Sequence, residues 1–322
     1  MSTATMRVVS QDEFGGPEVL HLRDVPRPSP IPTEVLVRTH AAGINPVDWK
    51  TREGGGMASQ LGQPPHVLGW DVSGVIEEVG FGVTTLSPGD EVYGMPWFPR
   101  AAGGYGEYVT APARQFARKP ASIDHLHAAG LPLAVLTAWQ VVVDTAHVRA
   151  GDRVLVHAAG GGVGHLAVQI AKHLGAHVIG TASEGHHDGL RALGLDEVVD
   201  YRAKRFEDVV SDVDVVVDLI GDGESSYSTR SLKTLKRGGL LVAVPSGVSP
   251  ELASKAQEAG VRFSPFLVEP DGAALATIAA LVDAGAITVD IQKVYPLADA
   301  AQAHRDGESG GVHGKLVLDT TV

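Results

Sequence analysis

The segment Val154-Leu155-Val156-His157-Ala158-Ala159-Gly160-Gly161-Gly162-Val163-Gly164 constrains this chain more than any other. A β-branched, apolar run enters a glycine-rich turn, and residues 163–174 then carry apolar side chains at helical spacing. The turn fits G-x-G-x-x-G with Ala159 in the first place, followed by Gly161 and Gly164. Small residues permit a tight turn and let backbone N–H groups approach a pyrophosphate. The third small residue lets the helix pack on the strand, and the helix N-terminus supplies positive partial charge. A strand-to-helix turn that holds nothing is the alternative. The clear strand before the turn and the clear helix after it favour a dinucleotide site.

The chain around this motif changes texture. Up to about residue 120 it reads as short strands, such as Val35 to Thr39, Val72 to Val79 and Glu107 to Val109, punctuated by Pro and Gly turns. From Leu126 onward helices alternate with apolar runs at 154–157, 177–181, 197–200, 214–220, 239–244 and 262–268. Apolar strands alternating with helices predict a doubly wound parallel sheet covered on both faces. The tail, with helices near 273–284 and 297–304 and a last strand at 315–318, is expected to return to the first domain.

Composition narrows the chemistry. The chain has no cysteine, which removes thiolate nucleophiles, disulfides and sulfur-ligated zinc. None of its 14 histidines sits in an H-x3-H or HExxH arrangement, so no metal site is expected. A net charge of −12 without any basic run argues against nucleic acid. No apolar run reaches membrane-spanning length, and a cytoplasmic protein is expected.

The tip of the second sheet strand reads Gly180-Thr181-Ala182-Ser183, without the acid that would grip the ribose 2′-OH of NAD. This favours NADP(H). Glu184 follows at once, no lysine or arginine adjoins Ser183, and Arg191 lies two turns on.

Four motifs in order, Ala41 to Asp48, Gly69-Trp70-Asp71-Val72-Ser73-Gly74, Pro88 to Val92 and Ala158 to Gly164, make nearly the whole chain resemble the zinc-independent quinone oxidoreductase branch of the medium-chain dehydrogenase/reductase superfamily. The resemblance implies an α/β protein: a GroES-like β-rich catalytic domain over 1–125 and 266–322, and a Rossmann NADP-binding domain over 126–265. It implies that Ser183 and Tyr201 hold the 2′-phosphate. Asn45, Thr137, Leu219, Ser246 and the strand Phe266-Leu267-Val268 would line the nicotinamide, with Gly160 to Gly164 on the pyrophosphate. Gly314-Lys315 fits the family's ending, and Lys315 is assigned to the cofactor. Lys50 stands where many relatives carry an aromatic residue. Gly69-Trp70-Asp71 replaces the Gly-His-Glu of zinc members.

The expected reaction is hydride transfer from NADPH to a small hydrophobic quinone or α,β-unsaturated carbonyl. Asn45 is expected to donate its amide N–H to the substrate oxygen, and Lys50, Tyr105 or bulk water to supply the proton. Asn45 and Asp48 also read as turn and cap residues, His66 and His157 as hydrogen-bonded structural histidines, and Tyr105 as a lid or an exposed aromatic on a flexible glycine loop. An NADPH-binding sensor or structural protein with little turnover is the alternative from another class. The family's habit of pairing Rossmann sheets edge to edge makes a homodimer the expected assembly.

Overall fold

The computed structural model describes residues 4–223, 225–245 and 248–322. The chain divides into two compact units, Met1–Leu136 with Glu269–Val322, and Thr137–Val268.

In the first unit the strands are β1 (Thr5–Gln11), β2 (His21–Pro26), β3 (Glu34–Ile44), β4 (His66–Val67), β5 (Asp71–Val79), β6 (Glu91–Gly94), β7 (Tyr108–Pro112) and β8 (Phe116–Arg118). The second unit contributes β9 (Arg153–Val156), β10 (His177–Ala182), β11 (Glu197–Asp200), β12 (Val213–Asp218), β13 (Leu235–Ala243) and β14 (Arg262–Pro265). The tail adds β15 (Ile291–Pro296) and β16 (Lys315–Asp319) to the first unit.

β16 pairs antiparallel with β3, Val317 opposite Gly43, and parallel with β15. The seven-stranded sheet therefore runs β15-β16-β3-β5-β6-β8, with β7 also on β3. Alternation of side chains puts Val35, Val37, Val72, Ile76 and Val92 into one buried cluster. Gly43 is required by packing: a Cβ there would lie 2.2 Å from the Ala129 carbonyl oxygen and 2.9 Å from Asp71 Cβ.

In the second unit six parallel strands lie in the order β11-β10-β9-β12-β13-β14. This is the doubly wound order, with its switch point between β9 and β12. Val154, Leu155, Val156, Val215, Val216 and Val217 are all buried, as strands covered on both faces must be. β14 ends at Pro265 because its partner β13 ends at Ala243, directly opposite. Phe266, Leu267 and Val268, expected within the last strand, therefore lie beyond it; Val268 is buried and Leu267 exposed.

Gly43→Ala is expected to lower the unfolding free energy by about 1–3 kcal/mol, because neither the Ala129 carbonyl nor Asp71 has room to retreat. Urea unfolding measures it.

Candidate active site

Each cofactor position read from the sequence in the second unit follows the carboxyl end of a strand, apart from Thr137, which is buried in the helix Pro132–Trp139. Gly160 to Gly164 follow β9, Ser183 follows β10, Tyr201 follows β11 and half-buried Leu219 follows β12. Ser246, beyond β13, lies outside the described residues. Ligands of open parallel sheets bind at this edge.

The turn is cut for a close approach. Ala158 takes a left-handed φ of 48°, and Ala159 N–H donates to the Thr181 carbonyl at 3.0 Å. A Cβ on Gly164 would fall 2.2 Å from Ala158 O and 2.8 Å from Ala159 Cα, so only glycine fits where the helix Gly164–His173 begins. His165 N–H donates to Gly161 O at 3.1 Å and Ala167 N–H to Val163 O at 2.9 Å, and the positive end of the helix lies at the turn. These residues fit a pyrophosphate.

Beside the turn opens a cavity of about 600 Å³, with Thr181, Tyr201, Lys204, Arg205, Tyr227 and Arg230 on its walls. Arg230 stacks 4.7 Å over Phe206 and pairs with Glu207 at 2.6 Å, which also holds Arg205 at 2.6 Å. The Arg230 hydrogen bonds depress the Glu207 carboxyl to about 2. Lys204 has no carboxylate partner among the described residues, and its charge is open to an anion. Reading the residues next to Ser183 missed these cations, because the chain returns them from the loop after β11. The signal was the run Tyr201-Arg202-Ala203-Lys204-Arg205.

Below the cavity, His157 is a structural histidine. Ser231 Oγ donates to the Tyr227 carbonyl, so it accepts from His157 Nε2 at 2.8 Å, while Nδ1 lies 3.2 Å from Thr181 Oγ1. Burial pushes its pKa down to about 4. His66 is likewise held, by the Gly62 carbonyl at 3.1 Å.

The first unit gathers a buried polar cluster around Asn45. Pro46 opens a short helix, Pro46–Arg52, and Asp48 caps it by accepting from Asn45 N–H at 2.7 Å. Asn45 Nδ2 donates to Asp71 Oδ2 at 2.8 Å, and its Oδ1 accepts from Lys315 Nζ. Lys315 Nζ also donates to Ile44 O at 2.8 Å and lies 3.7 Å from Asp71 Oδ2. Two of the ammonium's three donors go to Ile44 O and Asn45 Oδ1, and Asp71 faces it as an ion pair. Lys315, expected at the cofactor, is buried, and its ammonium is held by residues of its own unit. Among the described residues one amide hydrogen of Asn45 is uncommitted.

Tyr105, expected as a lid or an exposed aromatic, is fully buried instead, because Val9 N–H donates to its carbonyl at 2.8 Å and its own N–H donates to Leu68 O at 2.9 Å. Arg52 can only donate, so His304 Nδ1 accepts from Nη1 at 3.1 Å and Nε2–H points to Tyr105 Oη at 3.0 Å. The phenol proton then faces the Asp48 carboxylate, whose Oδ1 has no partner within strict hydrogen-bond geometry. Burial drives the Tyr105 phenol well above its ordinary value. It drives Asp48 up to about 7 and Asp71 to about 6, and His304 down to about 3. Lys50 is exposed. Among the described residues no three His, Asp or Glu side chains are grouped to hold a metal.

Comparison with known proteins gives the family. The family model for the alcohol dehydrogenase GroES-like domain matches residues 31–121, and that for zinc-binding dehydrogenase matches 193–318. The chain is 34% identical over 330 residues to quinone oxidoreductase of Rattus norvegicus, covering 97% of both chains. It is 34% identical over 323 residues to the chloroplastic NADPH-dependent alkenal/one oxidoreductase of Arabidopsis thaliana, covering 97% of this chain and 79% of that one. The quinone oxidoreductase structure from Coxiella burnetii matches with a TM-score of 0.92 at 37% identity, over 98% of this chain and 100% of that one. The chain is an oxidoreductase that belongs to the quinone oxidoreductase branch of the medium-chain dehydrogenase/reductase superfamily.

Lys315→Met leaves Asp71 buried without its counter-charge and is expected to cost about 3–5 kcal/mol, read from urea unfolding. Asp48 gives a pH test. Folded, it keeps its proton up to about 7, whereas unfolded it releases it at the ordinary 3.8. The folded state binds more protons across that interval, so this residue's contribution to stability falls as pH rises. Asp48→Asn should therefore compare more favourably with the native chain at pH 8 than at pH 5.

Proposed function

We propose that this protein is an NADPH-dependent, zinc-independent reductase of small hydrophobic quinones or α,β-unsaturated carbonyls. The observation that carries the reading is the cavity beside the glycine turn, where Tyr201, Lys204 and Arg205 gather near the end of β10, which is followed by Ser183 instead of a carboxylate. A dianionic 2′-phosphate suits that wall, while the 2′-OH of NAD would find no acid at the strand tip. The Arabidopsis relative, named NADPH-dependent, and the relatives named quinone oxidoreductase support the same choice.

When bound, the nicotinamide supplies a hydride. The protein's own part is to hold, exclude water and steady charge. The turn of residues 160–164, whose Gly161 N–H is taken by Ala158 O, holds the pyrophosphate through its other N–H groups and the N-terminus of its helix. Thr137, Leu219 and Val268 supply small or apolar surface for the nicotinamide. The free amide hydrogen of Asn45 stabilises negative charge on the substrate oxygen, and Asp71 with Lys315 holds that amide in one orientation. Tyr105 is too deeply buried and too weakly acidic to deliver the proton, which leaves exposed Lys50 or water. Zinc does not fit: the cluster has no sulfur ligand, and the Lys315 ammonium already neutralises Asp71. β14 is a sheet edge, and we propose that it pairs with its copy in a homodimer.

Purified protein is expected to oxidise NADPH rapidly with phenanthrenequinone, slowly with NADH, and equally well after EDTA treatment. Faster turnover with NADH would overturn the cofactor assignment, and loss of activity in EDTA the zinc-free one. Lys204→Ala should raise the KM for NADPH about fivefold, the upper end for one exposed charge pair, with kcat little changed. Lys50→Ala with unchanged kcat and KM would leave water as the proton source. A monomeric mass by light scattering would remove the dimer.

A further inference from the structure

No lysine or arginine adjoins Ser183 in the sequence, yet the structure brings a base to it. The chain turns back through Glu184–His186, and His186 Nδ1 comes to 2.9 Å from Ser183 Oγ. The same ring packs against the glycine turn. A Cβ on Gly160 would sit 3.0 Å from His186 Cδ2, 3.1 Å from Cγ and 3.3 Å from Cβ. One imidazole thus touches both the tip of the second strand and the turn that begins the dinucleotide site.

We propose that His186 sets the preference of this chain for NADPH over NADH and makes that preference depend on pH. The inference rests on the NADP(H) reading above. Protonated, His186 donates Nδ1–H to Ser183 Oγ, which turns the hydroxyl proton outward to a 2′-phosphate oxygen. The imidazolium also places a positive charge beside that phosphate and offsets exposed Glu184. Neutral, the ring adds no charge, and its Nδ1 can accept the Ser183 proton instead. Histidine is the side chain whose charge ordinarily changes between pH 5 and 8.

Among the described residues, groups face this site from its own segment, from the glycine turn with its helix, and from the loop after β11. Its own segment brings Glu184, His187, whose Nε2 lies 3.3 Å from Ala182 O, and Asp188, paired with Arg191 at 2.9 Å. The glycine turn brings no titratable side chain, and the helix behind it brings His165, with Nδ1 at 3.0 Å from Gly161 O. The loop after β11 brings Tyr201, Lys204 and Arg205 to the neighbouring cavity. The fixed cations there hold NADPH at any pH, and His186 adds the part that varies.

The test is equilibrium binding of NADPH and of NADH to the whole protein, by nucleotide fluorescence, at pH 6 and pH 8. Native protein is compared with His186→Lys and His186→Gln. The 2′-phosphate itself loses a proton near pH 6, but that titration is common to all three proteins and cancels in their ratio. Relative to His186→Lys, native affinity for NADPH is expected to fall about fivefold from pH 6 to pH 8. His186→Gln should bind NADPH weakly at both. NADH affinity should agree within about twofold throughout, which also shows that the variants are folded. Parallel NADPH curves for native protein and His186→Lys would overturn the proposal, as would an equal shift for NADH, which lacks the phosphate. If NADPH fails to bind native protein at either pH while NADH binds, the NADP(H) reading falls and this inference with it.

Discussion

The contact on which the first unit turns is Lys315 Nζ enclosed between Asp71, Asn45 and the Ile44 carbonyl. Both charges are buried, and an isolated buried charge costs several kcal/mol, so neither is tolerable without the other. Lys315 opens the last strand, while Asp71 opens β5 and Asn45 caps the helix that follows β3. The polar centre is therefore complete only when the tail has paired with β3. Burial is felt in every group nearby: carboxyls are raised, the lysine is lowered, and His304 stays neutral between Arg52 and Tyr105.

The second unit solves a different problem. Its sheet is apolar and its carboxyl-end loops are polar, so chemistry concentrates on one edge. Asp218 shows how the loops are held: it accepts from the N–H groups of Ile220 and Gly221 and from Ser228, shaping the bend that carries Leu219. The cavity wall is similarly stiffened by Glu207 bridging Arg205 and Arg230 above Phe206 and Tyr227. Lys204 is left as the adaptable charge.

Local patterns were legible where the physics is local. Uninterrupted Val and Leu runs marked β9, β12 and β13, and the glycine spacing marked the turn before Gly164. Asp48 as a cap and His157 as a satisfied structural histidine were readable from residue type and neighbours. The misses share one cause. Tyr105 sits among glycines, a loop by any local rule, yet β1 and residue 68 clamp its backbone and His304 donates to its phenol oxygen. Phe266 to Val268 look like strand, but β13 stops opposite Pro265 and offers no further ladder.

The sequence by itself determined the two architectures, the dinucleotide turn and the absence of an acid at the tip of β10. These depend on side-chain periodicity, backbone freedom at glycine and the identity of single residues. Only the tertiary structure decided which charges meet. Lys315 and Asn45 are 270 positions apart and share a hydrogen bond. Lys204 and Arg205 reach the same cavity wall as Thr181, and His186 folds onto Gly160. Electrostatic and hydrogen-bond energies depend on distances through space and on burial, and neither quantity is written in the order of residues along a chain.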